Sequence, residues 1–276
     1  MKFSFMTFST TKLSLDDILA LARKLGYDGI EPRIDCKQAH GIELAADAAS
    51  RKTARDKAAK AGIAYACLAT SCKYADPAKN AAMREATLRC IDLAADIGCP
   101  RLRVFGGGLG KGLTREQAID LLAESFLSFA DDAAKRKVAV CMETHDDWCD
   151  PSHVAAVMTK VHHPAIAVNW DIMHPVRAAG WTVDDAYRTL KPWIRHLHVH
   201  DGKWVGVPAD DKSGGKGEKM DLAPIGTGVV DHKRGIELLN ADGYAGFLSG
   251  EWIQWEPYEI HLPRELATLK KYDAET

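Results

Sequence analysis

Short apolar runs alternate with stretches of helical periodicity along the whole chain. Residues 2–8 read as a strand. Leu15, Ile18, Leu19 and Ala22 then recur at i, i+3, i+4 and i+7, a helical stripe opened by Ser14, with Asp17 as a weak capping-box partner, and closed by Gly26. The same alternation continues to the end. Strands are expected at 28–32, 63–68, 101–105, 138–142, 165–170, 194–199 and 245–250. Helices are expected at about 47–61, 77–98, 114–136, 151–161, 182–190, 231–240 and 257–272. Asp76-Pro77 is a good helix start, because an Asp cap followed by Pro suits the unpaired N-terminal amides. The glycine-rich segment 202–228, with many Lys and Asp residues, reads as one long surface loop, a candidate lid or assembly contact.

Eight strand–helix units imply a parallel sheet. At 276 residues the expected fold is one α/β domain over 1–276, a (β/α)8 TIM barrel, which typically takes about 250 residues. An open doubly wound sheet would need a phosphate-binding glycine fingerprint after the first strand, and Thr7-Phe8-Ser9-Thr10 is not one.

Composition narrows the function classes. A hydrophobic share of 46% excludes disorder as the main state. A net charge of −2 argues against a nucleic-acid partner, which needs a basic face. No apolar run approaches the ~20 residues of a membrane helix, and the first residues are too soon polar for a secretory signal. The 7 cysteines are odd in number and show no CxxC spacing, so reduced thiols and a cytoplasmic location are expected.

The chemistry collects at strand ends, where barrel enzymes carry their catalytic groups. The second strand ends at Glu31 and the fifth at Glu143. The sixth ends at Asp171 with His174 three residues on. The seventh holds His196, His198 and His200 and closes with Asp201, and the eighth ends at Glu251. Any one such residue reads equally well as a helix cap or a solvated charge. Four successive strand ends do not, because carboxylates in a barrel mouth are costly unless they are paired or bind metal. Glu143, Asp171, His198 and Glu251 therefore form the candidate site for a divalent cation. Its mainly oxygen donors favour Mn²⁺, Mg²⁺ or Co²⁺, with Zn²⁺ possible. His198 is favoured over His200 by its depth on the strand, and Asn169 and His196 share the inward parity. A sugar or polyol chelated there would pass through an enediolate, with one carboxylate taking a carbon-bound proton and the other returning it. Loss of a hydroxyl from the next carbon would give dehydration instead. Glu31, His145, His174, His200, Arg103 and Lys203 are the candidate substrate contacts. Arg103, just before Gly106-Gly107-Gly108, suits either an anion site or a tight turn with a structural arginine.

Gly26-Tyr27-Asp28-Gly29-Ile30-Glu31, Glu143-Thr144-His145, Asp171-Ile172-Met173-His174, His198-Val199-His200-Asp201 and Gly250-Glu251-Trp252 together resemble the sugar phosphate isomerase/epimerase family. This is the xylose isomerase-like barrel superfamily, which also contains endonuclease IV. The resemblance runs from the first strand to the last. It implies Glu143, Asp171, His198 and Glu251 as metal ligands (Mn²⁺ foremost), Glu143 and Glu251 as the acid–base pair, and His174 as a substrate contact. It also implies a small carbohydrate as the partner, with a homo-oligomer compatible. His200 departs from the family, whose members often carry Lys in HxKD. Members include isomerases, epimerases and inosose dehydratases, so a lyase is the runner-up activity. An abasic-site endonuclease is disfavoured, because strands one to four end without a ligand histidine; a metabolite-binding barrel without turnover is the remaining alternative.

Overall fold

The helices form where the sequence supplies both an apolar stripe and its punctuation. Ser14, Asp47, Asp76, Thr114 and Asp150 cap α1 (Leu15–Leu25), α2 (Ala48–Ala61), α3 (Pro77–Ile97), α4 (Arg115–Arg136) and α5 (Pro151–Val161), each side chain accepting from a backbone amide of the first turn. Thr114 and Gln117 complete a reciprocal capping box. Four further helices follow: α6 (Met173–Ala179), α7 (Val183–Leu190), α8 (His232–Ala241) and α9 (Tyr258–Ala274). The short α6 is not foreseen from the periodicity.

The computed structural model describes residues 1–206 and 218–276. The barrel strands are β1 (Lys2–Met6), β2 (Gly29–Glu31), β3 (Ala64–Tyr65), β4 (Leu68–Lys73), β5 (Arg101–Phe105), β6 (Ala139–Glu143), β7 (Ile166–Asp171) and β8 (Ile194–Val199), with β9 (Asp201–Gly206) and β10 (Glu218–Ala223) preceding the last, β11 (Phe247–Gly250). All pairings in the main sheet are parallel, in the order β3-β2-β1-β11-β8-β7-β6-β5-β4. β3 and β4 together occupy the third position of the barrel. β3 pairs with β2, and β4 is tied to the chain beyond β2 by an Arg33–Ala69 bridge, with the Ala69 amide donating to Pro32 O. The architecture is a nearly closed TIM barrel.

Two sequence expectations change here. The strand expected at 63–68 is interrupted, and its second half runs on to Lys73. The segment 202–228 is not a plain loop: β9 and β10 pair antiparallel from Asp201↔Ala223 to Gly206↔Glu218. Its middle, residues 207–217, lies outside the described residues. Asp201 ties down the base of this ribbon by accepting from the amides of Gly202, Gly226, Gly228 and Val230. It is fully buried in that role and joins none of the candidate ligand groups. Among the described residues, no helix is long and apolar enough to cross a membrane.

Candidate metal centre and active site

Strand parity brings the charged side chains inward. Asp171 lies level with His198 and Asn169 with His196 in the β7–β8 register, and Glu143 lies beside Asn169 in β6–β7. Glu251 follows β11, with its amide donating to Val199 O. One ligand atom from each of Glu143, Asp171, His198 and Glu251 lies within 4.8 Å of the others, and all four residues are buried.

His198 is the hub. Its Nδ1 is 2.8 Å from Glu143 Oε1 and 3.1 Å from Glu251 Oε2, while its Nε2 is 3.0 Å from Glu31 Oε1. Burial alone would depress this imidazole; the carboxylates of Glu31, Glu143 and Glu251 outweigh it and hold its pKa well above the usual value. Burial would raise the Glu251 carboxyl, but His198 first, then Arg103 and His200, lower it to about 2. Asp171 is likewise held below the usual carboxylate range, with His174 and His200 overcoming its burial. Its Oδ1 accepts from the amides of Met173 and His174 at the start of α6, and its Oδ2 is 2.8 Å from His200 Nε2. The four residues fit a divalent cation: three carboxylates and one imidazole converge, and Glu143 Oε2 and Asp171 Oδ2 are buried with no hydrogen bond, each facing an ion-pair partner instead, Arg103 Nε at 3.2 Å and His200 Nε2 at 2.8 Å.

The candidate substrate contacts divide. His145, His174 and His200 form a row of edge-packed imidazoles, with ring centroids 4.6 Å and 5.3 Å apart, and Phe105 continues it 4.8 Å beyond His145. Arg103 is buried, its Nε 3.2 Å from Glu143 Oε2 and its guanidinium 4.0 Å from the Phe105 ring centroid. Glu31 lies deeper than a mouth residue, both oxygens taken by imidazoles: Oε1 by His198 and Oε2 by His196 at 2.8 Å. Lys203 is not brought to this cluster; it is exposed on β9 opposite Asp221.

The glycine run after β5 takes the tight-turn reading. A Cβ on Gly106 would lie 2.2 Å from the Trp148 ring, and Trp148 Nε1 donates to Gly107 O at 2.8 Å. The Leu109 amide donates to Asp147. The turn makes room for a buried indole and engages a carboxylate of the chain itself.

Two arginines are not singled out by the sequence pattern. Arg177 Nε donates to His174 Nδ1 at 2.9 Å, which places the proton of the neutral imidazole on Nε2, facing Asp171. The available signal is its spacing, one helical turn after His174. Arg33 lies two residues past Glu31, on the same parity, at the catalytic end of β2.

A family model, xylose isomerase-like TIM barrel, matches residues 19–272. The chain belongs to that family. No curated protein matches it in sequence. Solved structures that resemble it include the probable 3-DHS dehydratase AsbF of Bacillus anthracis, at 20% identity and a TM-score of 0.77, covering 98% of this chain and 99% of that one. L-ribulose 3-epimerase aligns at 17% identity and a TM-score of 0.77, over 99% of this chain and 95% of that one. The IOLI protein, solved with a bound zinc atom, aligns at 16% identity and a TM-score of 0.78, over 100% and 97%. At these identities the structural likeness carries the fold alone, and the chemistry rests on the residues of this barrel.

Proposed function

We propose that the protein is a divalent-cation-dependent enzyme that moves a carbon-bound proton next to a carbonyl in a small polyhydroxylated substrate, as a sugar isomerase or epimerase does. The convergence of Glu143, Asp171, His198 and Glu251 within 4.8 Å carries this reading. These four would hold the cation, Mn²⁺ foremost, with Mg²⁺, Co²⁺ or Zn²⁺ as alternatives. Once bound, it would neutralise the charge that develops on a substrate oxygen during deprotonation. L-ribulose 3-epimerase and the zinc-bound IOLI protein share this fold, so the barrel accommodates both halves of the proposal.

The chain's own groups supply the proton chemistry. Glu143 and Glu251 come from barrel positions separated by β7 and β8, so they flank the site. Glu251 is ionised at neutral pH and serves as base on one side. Glu143, steadied by Arg103, exchanges the proton on the other. His174 offers its Nε2–H to a substrate oxygen, and His145 and His200 complete that wall. Glu31 is a positioning residue rather than a substrate contact, since it orients His198 through Nε2.

Elimination is the second reading. It needs the same deprotonation with a leaving group on the next carbon, and the likeness to the Bacillus anthracis dehydratase favours it. A screen of ketoses, keto-inositols and 3-keto sugars in D₂O with added Mn²⁺ tests both. Solvent deuterium entering the substrate without loss of water supports isomerisation or epimerisation, and loss of water supports the lyase. Turnover undiminished after the cation is stripped would overturn the proposal.

A further inference from the structure

Most buried charges of the barrel have a visible counterpart. Arg103 faces Glu143, Glu31 faces His196 and His198, Asp171 faces His200, and Glu265 faces Arg264. Arg33 differs. It is only 8% exposed, yet among the described residues no carboxylate lies within ion-pair distance of it. Its guanidinium donates to neutral acceptors alone: the backbone oxygens of Ile34 and Ala69, and Ser71 Oγ at 2.5 Å. Among its charged neighbours the like charge of Arg103 acts on it most strongly, and Asp35 and Glu251 act on it only from longer range.

Position gives this unpaired cation a purpose. Arg33 stands just past the catalytic end of β2, against the Phe8 ring at 5.9 Å on one side and Ser71 of β4 on the other. Ser71 is exposed, so the guanidinium reaches the rim of the mouth. Lys73, also on β4 and exposed, lies 5.2 Å from the Phe105 ring centroid, but its ammonium is paired with Asp146 at 3.2 Å, which leaves Arg33 as the cation there without a carboxylate partner among the described residues. A buried guanidinium without a countercharge is costly to the folded protein, and a fork of N–H donors matches a carboxylate or phosphoryl group.

We infer that the substrate of this site carries an anionic group, a carboxylate or a phosphate ester, and that Arg33 is its receptor. The inference rests on the proton-transfer reading of the site and narrows it from polyols in general to acidic ones. The carbonyl end of such a substrate lies toward the Glu143–Asp171–His198–Glu251 cluster and the anionic end toward β2 and β4.

The test is calorimetric, on the full chain loaded with Mn²⁺, using matched probes: glucuronate against glucose, shikimate against methyl shikimate, and glucose 6-phosphate as the phosphoryl arm. The anionic member of a pair is expected to bind at least about tenfold more tightly, and Arg33→Gln to erase that difference while Mn²⁺ stoichiometry stays unchanged. Arg33→Lys should recover part of it. A preference for glucose 6-phosphate over glucuronate identifies the anion as phosphoryl; the reverse identifies a carboxylate. Equal affinity within every pair, or no saturable binding by any anionic probe, overturns the inference. If Arg33→Gln does not fold, competition on the wild-type protein decides instead: displacement of glucuronate by acetate or inorganic phosphate supports an anion receptor, and no displacement overturns it. Deuterium exchange into neutral ketoses by the wild-type protein is scored separately. If it persists while the anion pairs show no difference, only this inference falls; if it too is absent, the proposed function falls with it.

Discussion

Replacing Glu31 by Gln separates the two roles open to that residue. In the folded protein its carboxylate accepts from His198 Nε2 at 3.0 Å and from His196 Nε2 at 2.8 Å, all three groups being fully buried. A glutamine of the same shape keeps one acceptor oxygen but turns an NH₂ toward the second imidazole. If that imidazole is His198, it must move its proton to Nδ1, the nitrogen aimed at Glu143 and Glu251, and so lose its free donor pair. Hydrogen bonds to charged groups contribute about 1.5–3 kcal/mol. Loss of an outer partner of a metal-binding histidine typically costs about 10–100-fold in affinity, or about 1.4–2.8 kcal/mol, which is the same range. Glu31→Gln should therefore weaken Mn²⁺ binding by about 10–100-fold, measured by titration against a competing chelator. Removal of a direct ligand, as in His198→Ala, should abolish measurable loading. Unchanged Mn²⁺ affinity together with a raised KM would refute the positioning role and return Glu31 to the substrate.

Other outcomes follow from the same geometry. Glu143→Gln and Glu251→Gln should each lower solvent deuterium exchange by about 10²–10⁴-fold and, since both carboxylates would also hold the cation, weaken Mn²⁺ loading; exchange retained in both would remove them as the acid–base pair. Because the carboxylates hold His198 protonated above its usual range, cation uptake at neutral pH must displace that proton. Affinity should rise with pH until the raised pKa is passed, and calorimetry in buffers of different ionisation enthalpy should show about one proton released; none released contradicts the assignment. Arg177→Met should free His174 Nδ1 and mix its tautomers, which nitrogen-15 NMR reads directly, while Mn²⁺ loading holds. Gly250→Ala places a Cβ 2.0 Å from the Trp252 ring, forcing apart the residues that flank Glu251; a loss of about 1–3 kcal/mol in denaturant unfolding and weakened Mn²⁺ binding are expected.

Much of this molecule is local and therefore readable from the chain. Helix stripes, caps and glycine stops depend on neighbours within a few residues, and they fixed α1–α5 closely. The alternation of those helices with short apolar runs determined the barrel, and the barrel's rule that chemistry collects at strand ends singled out Glu143, Asp171, His198 and Glu251. Pairing across the barrel is not local. Tertiary structure alone decided that the third strand is split, that Asp201 is spent on four backbone amides at the foot of a ribbon, and that Lys203 stands apart from the cluster. It also moved Glu31 from the mouth to a place beneath His198, 167 positions away in sequence. The type of charge a strand carries is written in its residues. Whether that charge meets an imidazole, an amide or no countercharge at all, as at Arg33, depends on what the closed sheet brings against it from elsewhere in the chain.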